Sequence, residues 1–420
     1  AGLAAAVSAA REGARTLLIE RQAFLGGVMT SATLGGICGL YSLVDDEPRQ
    51  IVFGFAEEVR QRLDAVGGTR GPLPWLKTAS LPYDMYALKG VFDDLAQQRG
   101  LQVLLQCQLI DVTGEGGAVR TLFVKSRGEM FAIRATVVID ASGDAAVCAL
   151  AGGRYEYDPG TLQFPSTTFR MIGVDTAKTR QFGRDDLRGF LERAVEAGLD
   201  LPRTTGGVYS VCDGVVHLNI TRVTAADGSS PDVLDAVALS EAEFAGRRQA
   251  RLYLEAFRRF VPGYEKAQIL DVGAELGIRE SRRIVGDYCL TNDDVVGERR
   301  FSDAIAKNCW PIEDHTADRA TRWVWLSPAG YNHIPYRSLL PQGLRNVIVA
   351  GRCLSSTHDA QAALRVTANC FSMGQAAGIA AAMASQAGGD VRSIALPRLQ
   401  DRLQTLGADL NPATEPAPAH

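Results

Sequence analysis

The chain has no two cysteines at redox or metal-ligand spacing. Its eight cysteines, at 38, 107, 148, 212, 289, 309, 353 and 370, are scattered, with no CxxC pair and no histidine at ligand spacing. That argues against a zinc site, leaves no metal expected, and matches reduced thiols in the cytoplasm. Long apolar runs are missing too: no stretch of about 18 strongly apolar residues suggests a membrane span. The alanine-rich opening carries no basic n-region, so no signal peptide is read, although Ala1 is not a natural start and a targeting segment upstream stays open. Neither sign of charge dominates, with 44 basic and 48 acidic residues and a net charge of -4. No nucleic acid or anionic membrane is therefore expected to be held by bulk electrostatics. Internal repeats are also absent.

What is present is 420 residues of ordinary globular composition, 46% hydrophobic and 22% charged, enough for two or three domains. The opening "AGLAAAVSAAREGARTLLIER" reads as an alanine-rich helix, a stop at Gly13, a short apolar strand from Thr16 to Ile19, and an acid, Glu20. That order is the second half of a dinucleotide-binding βαβ unit, in which a glycine turn and a helix N-terminus meet the pyrophosphate and an acid holds the ribose. Gly2 fits the last glycine of G-x-G-x-x-G, and Glu20 lies 18 residues beyond it, near the expected spacing of about 20. On this reading the first strand and two glycines are missing, so the gene is expected to encode about ten or more residues before Ala1. Taken alone, the stretch also reads as a plain amphipathic helix and strand.

Further along, Asp84 can cap a helix that buries Met85, Leu88, Val91, Phe92 and Leu95 before Gly100. Three strand-like runs follow, "LQVLLQCQLIDV", "VRTLFVKS" and "MFAIRATVVID", split by turn-rich "TGEGG" and "SRGE". They predict a three-stranded antiparallel meander. From about Gly153 the texture changes, with a helix expected from Asp232 to Phe260. Near Pro335 the first texture returns, in a buried strand "NVIVAGR" and a small-residue helix "FSMGQAAGIAAAMAS". The closing "NPATEPAPAH" has no means of packing.

Five segments in order resemble the FAD-dependent oxidoreductase family built on the glutathione-reductase-like FAD fold. They are the opening, "FLGGVMTSA", "VVIDASGDAAVCALAG", "GIRESRRIVGDY" and "NVIVAGRCLSSTHDAQAALRVTANCFSMGQAAGIAAA". The resemblance implies an α/β fold: a discontinuous Rossmann-like FAD-binding domain with the meander, plus an inserted α+β substrate domain. The expected division is 1–152 and 336–395 for FAD, 153–335 for substrate, and 396–420 for a terminal helix and disordered tail. Cofactor contacts are expected from Gly2, Glu20, Arg21, Gly26, Gly27, Ala141, Ser142, Gly143, Gly351, Arg352, Gly374 and Ala377, with Asp140 or Asp144 offering a carboxylate. Many relatives have Gly-Asp where this chain has Gly351-Arg352. The helix after Asn369 is expected to aim its N-terminus at the flavin pyrimidine edge, where its dipole stabilises the reduced cofactor.

For chemistry, the resemblance puts His358 on the cofactor-facing loop as an acid/base or carboxylate ligand, although a lone histidine is more often structural. Arg365 is a candidate anchor for an anionic substrate. Arg279, with Arg282 and Arg283, is a candidate catalytic residue or part of an ion-paired domain junction; His333 stands in reserve. Cys38 has no companion cysteine, which argues against dithiol exchange. The expected activity is that of a dehydrogenase or reductase of a small organic substrate working through one FAD. No second G-x-G-x-x-G follows a strand, so electrons are expected to reach an unidentified diffusible or protein acceptor. Two alternatives stay open. "WVWLSP" at 323–328 resembles the W-x-W-x-I-P signature of flavin-dependent halogenases, with Ser327 in place of isoleucine, and would fit a halogenase or monooxygenase. The other is a flavin-binding protein without turnover.

Overall fold

The computed structural model describes residues 1–316 and 321–411, so the final segment 412–420 lies outside the described residues. The architecture is mixed α/β. The opening follows its pattern, with a helix Gly2–Arg11 and a strand Thr16–Ile19. Its alanines are slim enough for the helix to lie against the buried helix Thr367–Gln386. A Cβ on Gly374 would stand 2.3 Å from the Ala1 carbonyl oxygen, and one on Gly378 2.2 Å from that of Ala5. Two backbones this close admit no side chain between them. The small-residue run therefore serves helix–helix packing. Gly374 and Ala377, expected at the cofactor, are held in that contact and in the adjoining core instead.

Strand Thr16–Ile19 pairs in parallel with Leu101–Leu104, and Val138–Asp140 in parallel with Val347–Val349. The meander forms from Gln108–Glu115, Ala118–Lys125 and Met130–Arg134, all antiparallel. Two of the three apolar runs are thus divided between sheets. In the first, Gln106 has φ 55°, a left-handed conformation that breaks an extended strand. In the third, the chain leaves the meander after Arg134 and resumes at Val138 beside a different partner.

The helix capped by Asp84 runs Met85–Ala96 and buries the five apolar residues of its stripe. The long helix starts later than its pattern suggests, at Ala236. Asp232 uses its carboxylate on the Leu234 and Asp235 N–H groups and the Tyr157 hydroxyl, and Asp235 caps the helix through Val237 and Ala238. This helix and Arg184–Glu196 share a core with a four-stranded antiparallel sheet, in the order Gly207–Tyr209, Val215–Asn219, Phe169–Ile172 and Gln268–Val272. A hairpin of Ile312–Asp314 and Arg322–Val324 follows, with Glu313 opposite Trp323. No helix of the described residues is long and apolar enough to cross a membrane.

Candidate active site

A cavity of about 2170 Å³ lies between these elements. Its lining divides by chemistry. One part is glycine-rich and follows the first helix and the parallel strands: Gly2, Glu20, Arg21, Gly26 and Gly27 line it. So do Ala141, Ser142, Gly143, Gly351 and Arg352. The N-terminus of Gly2–Arg11 opens here with no side-chain cap, so its first-turn N–H groups face a cavity able to take an anion. Glu20 follows the strand end. Its Oε1 accepts the Gln22 N–H at 2.9 Å, and burial pushes the carboxyl up. Uncapped amides beside a strand-end carboxylate suit the phosphate and ribose of a dinucleotide, so the residues present fit FAD.

Several polar side chains here are already engaged with protein groups. Arg21 lines the cavity, but its guanidinium pairs with Glu275 at 2.7 Å. Asp140 is buried and accepts from the N–H groups of Ser142, Val147 and Cys148, and from the Ser142 hydroxyl at 2.6 Å. Asp144 pairs with Arg352 at 2.7 Å and accepts the Ser281 hydroxyl. Neither carboxylate is therefore free for the cofactor in the way the strand-end position suggested. A Cβ on Gly143 would meet the Arg352 guanidinium at 2.8 Å, so that residue must be glycine for the ion pair to close.

The other part of the cavity is cationic and aromatic. Arg203, Arg279 and Arg365 line it with Glu313, His315 and Trp310. Arg279 Nη1 donates to the Phe164 carbonyl at 2.6 Å and to Ser166 Oγ at 2.9 Å. Among the described residues, neither Arg279 nor Arg203 has a carboxylate within ion-pair distance, and Arg365 is only 3.9 Å from Glu313 Oε2. Burial, then the neighbouring Arg365 and Arg203, lower Arg279 to about 9. Burial alone would raise Glu313, but His315, Arg365 and Arg279 outweigh it and hold the carboxyl at about 2. The strand explains the grouping. Side chains alternate across it, so Glu313 and His315 share the cavity side while Asp314 faces His358.

His358 does not line the cavity. Its Nδ1 is 2.8 Å from Glu280 Oε2 and its Nε2 is 3.7 Å from Asp314 Oδ1. Burial opposes the charge, but the two carboxylates prevail and raise the imidazole to about 9. Its link to the cavity is indirect: Glu280 accepts the Gln163 N–H, and Gln163 Oε1 accepts from Arg365 Nε. The acid/base position expected of His358 is thus an ion-paired one behind the wall. Asp314, His358 and Asp359 also present ligand atoms within 4.8 Å of one another. Arg322 already bonds both acids, at 3.2 and 2.7 Å. His333 is a core residue whose Nδ1 accepts the Phe301 N–H.

A pH prediction follows from His358. A group whose folded pKa lies above its unfolded value stabilises the fold fully below the unfolded pKa. For His358 that contribution is complete below about 6.5 and is lost as pH rises through about 9. Wild-type stability should fall by up to about 3 kcal/mol over that window. His358→Gln should flatten the curve in urea titrations at each pH. An unchanged slope in the variant would remove His358 as its source.

Sequence reasoning missed Glu313, His315, Arg203 and the role of the tryptophans. The available signal was "WPIEDH", a short strand with an acid and a histidine two residues apart. Trp323 and Trp325 stack on each other, with centroids 4.9 Å apart and planes at 3°, and Trp310 lies 6.4 Å from Trp323. Cys38 lines the cavity with its Sγ 3.4 Å from Ser80 Oγ, and burial pushes its thiol up to about 12.

Among solved structures, the chain is similar to a geranylgeranyl bacteriochlorophyll reductase-like protein from Thermoplasma acidophilum. The identity is 14% and the TM-score 0.46, over 96% of this chain and 80% of that one. It is also similar to p-nitrophenol 4-monooxygenase from Pseudomonas putida, at 11% identity and TM-score 0.45 over the same shares, 96% and 80%. A third is the flavin-dependent brominase Bmp2, at 14% identity, TM-score 0.43 and again 96% and 80% coverage. A search of curated proteins finds no match. The model of the FAD dependent oxidoreductase family matches residues 1–403. The chain belongs to the FAD dependent oxidoreductase family, with FAD as its cofactor.

Proposed function

We propose that this flavoenzyme is a dehydrogenase or reductase of a small organic anion, working through one FAD. The observation that carries the reading is the set of guanidiniums at the cationic part of the cavity. A charge removed from water is costly unless it is paired. Among the described residues, Glu313 is the one acid within ion-pair distance of Arg365, and neither Arg203 nor Arg279 has any. A carboxylate or similar anion on the substrate supplies the missing countercharge.

In this reading, segments 1–152 and 336–395 build the cofactor part and 153–335 most of the substrate part, with the helix Leu396–Thr405 closing the described chain. The uncapped N-terminus of Gly2–Arg11 and Glu20 hold the dinucleotide. When bound, FAD supplies a two-electron carrier that exchanges hydrogen with the substrate. The helix Thr367–Gln386 begins at the cavity through Val366, Thr367 and Cys370, again without a side-chain cap. Its first-turn N–H groups favour negative charge placed before them. Arg279 and Arg203 orient the anion, and Trp310 and Trp323 exclude water beside it. Electrons leave to a diffusible or protein acceptor.

The test is anaerobic mixing of the FAD-loaded protein with small carboxylates and with their uncharged amides, following flavin absorbance. Carboxylates should perturb or bleach the flavin and amides should not. Equal responses from both sets, or none from either, would overturn the anion reading.

Glu20 gives a prediction for the cofactor part. Glu20→Ala should weaken FAD binding by roughly 1.5–3 kcal/mol, the value of hydrogen bonds to a charged group. The spectrum of bound flavin should hardly change, because the contact is to the ribose. An unaltered FAD dissociation constant would make Glu20 a strand-end charge only.

A further inference from the structure

Beside the arginines, the cavity holds a directed chain of polar side chains. Arginine can only donate, so Arg203 Nη2 gives its proton to Thr321 Oγ1, 3.3 Å away. The Thr321 hydroxyl then has its own proton for His315 Nδ1, also at 3.3 Å. A carboxylate only accepts, so His315 carries its hydrogen on Nε2, 3.2 Å from Glu313 Oε1. Trp310 Nε1 donates to the other oxygen, Oε2, at 3.1 Å. Every link points toward Glu313, and Thr321, His315 and Glu313 all line the cavity.

We propose that Thr321, His315 and Glu313 form a proton relay that takes the hydroxyl proton of a 2-hydroxy acid whose carboxylate is held by Arg203 and Arg279. The proposal rests on the anion reading above and adds the position of the second reacting group. Arg203 touches Thr321, so a carboxylate on its remaining N–H groups sits one residue from the relay. The proton removed therefore belongs to a group carried by the carbon next to the carboxylate. A hydroxyl fits there, whereas an ammonium would meet the guanidiniums of Arg203, Arg279 and Arg365 with Glu313 as the nearest acid among the described residues. Burial and Arg279 keep His315 uncharged before substrate arrives, leaving Nδ1 free to accept.

The step balances. As the C–H bond of R–CH(OH)–COO⁻ breaks, bound FAD would supply the acceptor for its hydrogen and both electrons. The O–H bond breaks and its proton goes to Thr321 Oγ1 as the Thr321 proton moves to His315 Nδ1. A C=O bond forms, giving R–CO–COO⁻. The acid is oxidised, with bound FAD as the oxidant that would take up the two electrons, and the imidazolium formed lies beside Glu313. Removal of a general base typically lowers a rate by roughly 10²–10⁴-fold.

The experiment compares wild-type protein with Thr321→Val, Thr321→Ser and His315→Gln, all FAD-loaded. Lactate and mandelate are used with their 2-methoxy analogues, which keep the carboxylate but have no hydroxyl proton. Wild-type flavin should be reduced by the hydroxy acids and only bound by the methoxy acids. Thr321→Val should slow reduction by roughly a hundredfold or more, with carboxylate binding retained, and Thr321→Ser should restore it. Imidazole nitrogen NMR, assigned with His315→Gln, should show the Nε2–H tautomer. In the presence of oxalate, which brings charge but no transferable hydrogen, the protonation midpoint of His315 should rise. Equal rates in the Val and Ser variants, an Nδ1–H tautomer, or hydroxy acids that bind without reducing the flavin would overturn the relay and leave the anion reading standing. Failure of every carboxylate to bind would overturn both. If His315→Gln does not fold, the Val and Ser pair still decides.

Discussion

Arg279→Met is expected to weaken binding of a small carboxylate by roughly 10- to 150-fold, the equivalent of about 1.5–3 kcal/mol for a charge-assisted hydrogen bond. It is also expected to make the ligand-free protein more stable. Both effects have one cause. The guanidinium is anchored through Nη1 to Phe164 and Ser166, and no acid within ion-pair distance balances it among the described residues. Methionine keeps much of the volume and removes the buried charge, which relieves the apo protein and takes away the anchor. Titration of flavin absorbance with benzoate reads the affinity, and thermal melting without ligand reads the stability. Wild-type benzoate affinity in a variant that carries FAD would place the anion elsewhere. A large loss of stability would show that Arg279 is structural.

Gly378→Val should cost roughly 3 kcal/mol or more, beyond the usual range for overpacking by a methylene or two. The added Cβ at this position would lie 2.2 Å from the Ala5 carbonyl oxygen. That oxygen is backbone inside a buried helix, so it can yield only if the whole helix Gly2–Arg11 moves away. Its N-terminus lines the cofactor part of the cavity, so FAD content should fall together with stability. Gly90→Ala is the control. It lies mid-helix with nothing within 4 Å of its added Cβ, and should gain up to about 1 kcal/mol. Chemical denaturation of both variants, with released flavin measured in parallel, checks the pair. Wild-type stability and flavin content in the Gly378→Val variant would mean the two helices are not held as tightly as their backbones indicate.

The helix and strand proposed to hold the cofactor were legible in the sequence because their determinants are local. A helix followed by a strand and an acid puts Gly2 and Glu20 in place within one supersecondary unit, and the dipole and the strand end do the rest. The same locality made the Asp84 cap and the stripe from Met85 to Leu95 readable. What the sequence left ambiguous were features with two possible partners. A run of small residues fits a cofactor or another helix equally well, and only the approach of Gly374 to Ala1 shows which. A histidine after a strand can face the cavity or its back, and two carboxylates, Glu280 and Asp314, drew His358 to the back.

The cationic part of the cavity was set by tertiary structure alone. Glu313 and Thr321 come from the hairpin, Arg203 from the segment before strand Gly207–Tyr209, Arg279 from the loop after Gly277 and Arg365 from the turn before helix Thr367–Gln386, and they meet only at the cavity. No periodicity or motif links them, because the interaction that relates them is electrostatic and acts through space. By itself the sequence determined the family, the FAD cofactor and the opening helix–strand–acid unit, where spacing along the chain equals spacing in the fold. The balance of buried charge, on which the proposed anion and proton path rest, was decided by which side chains the fold places in one cavity away from water.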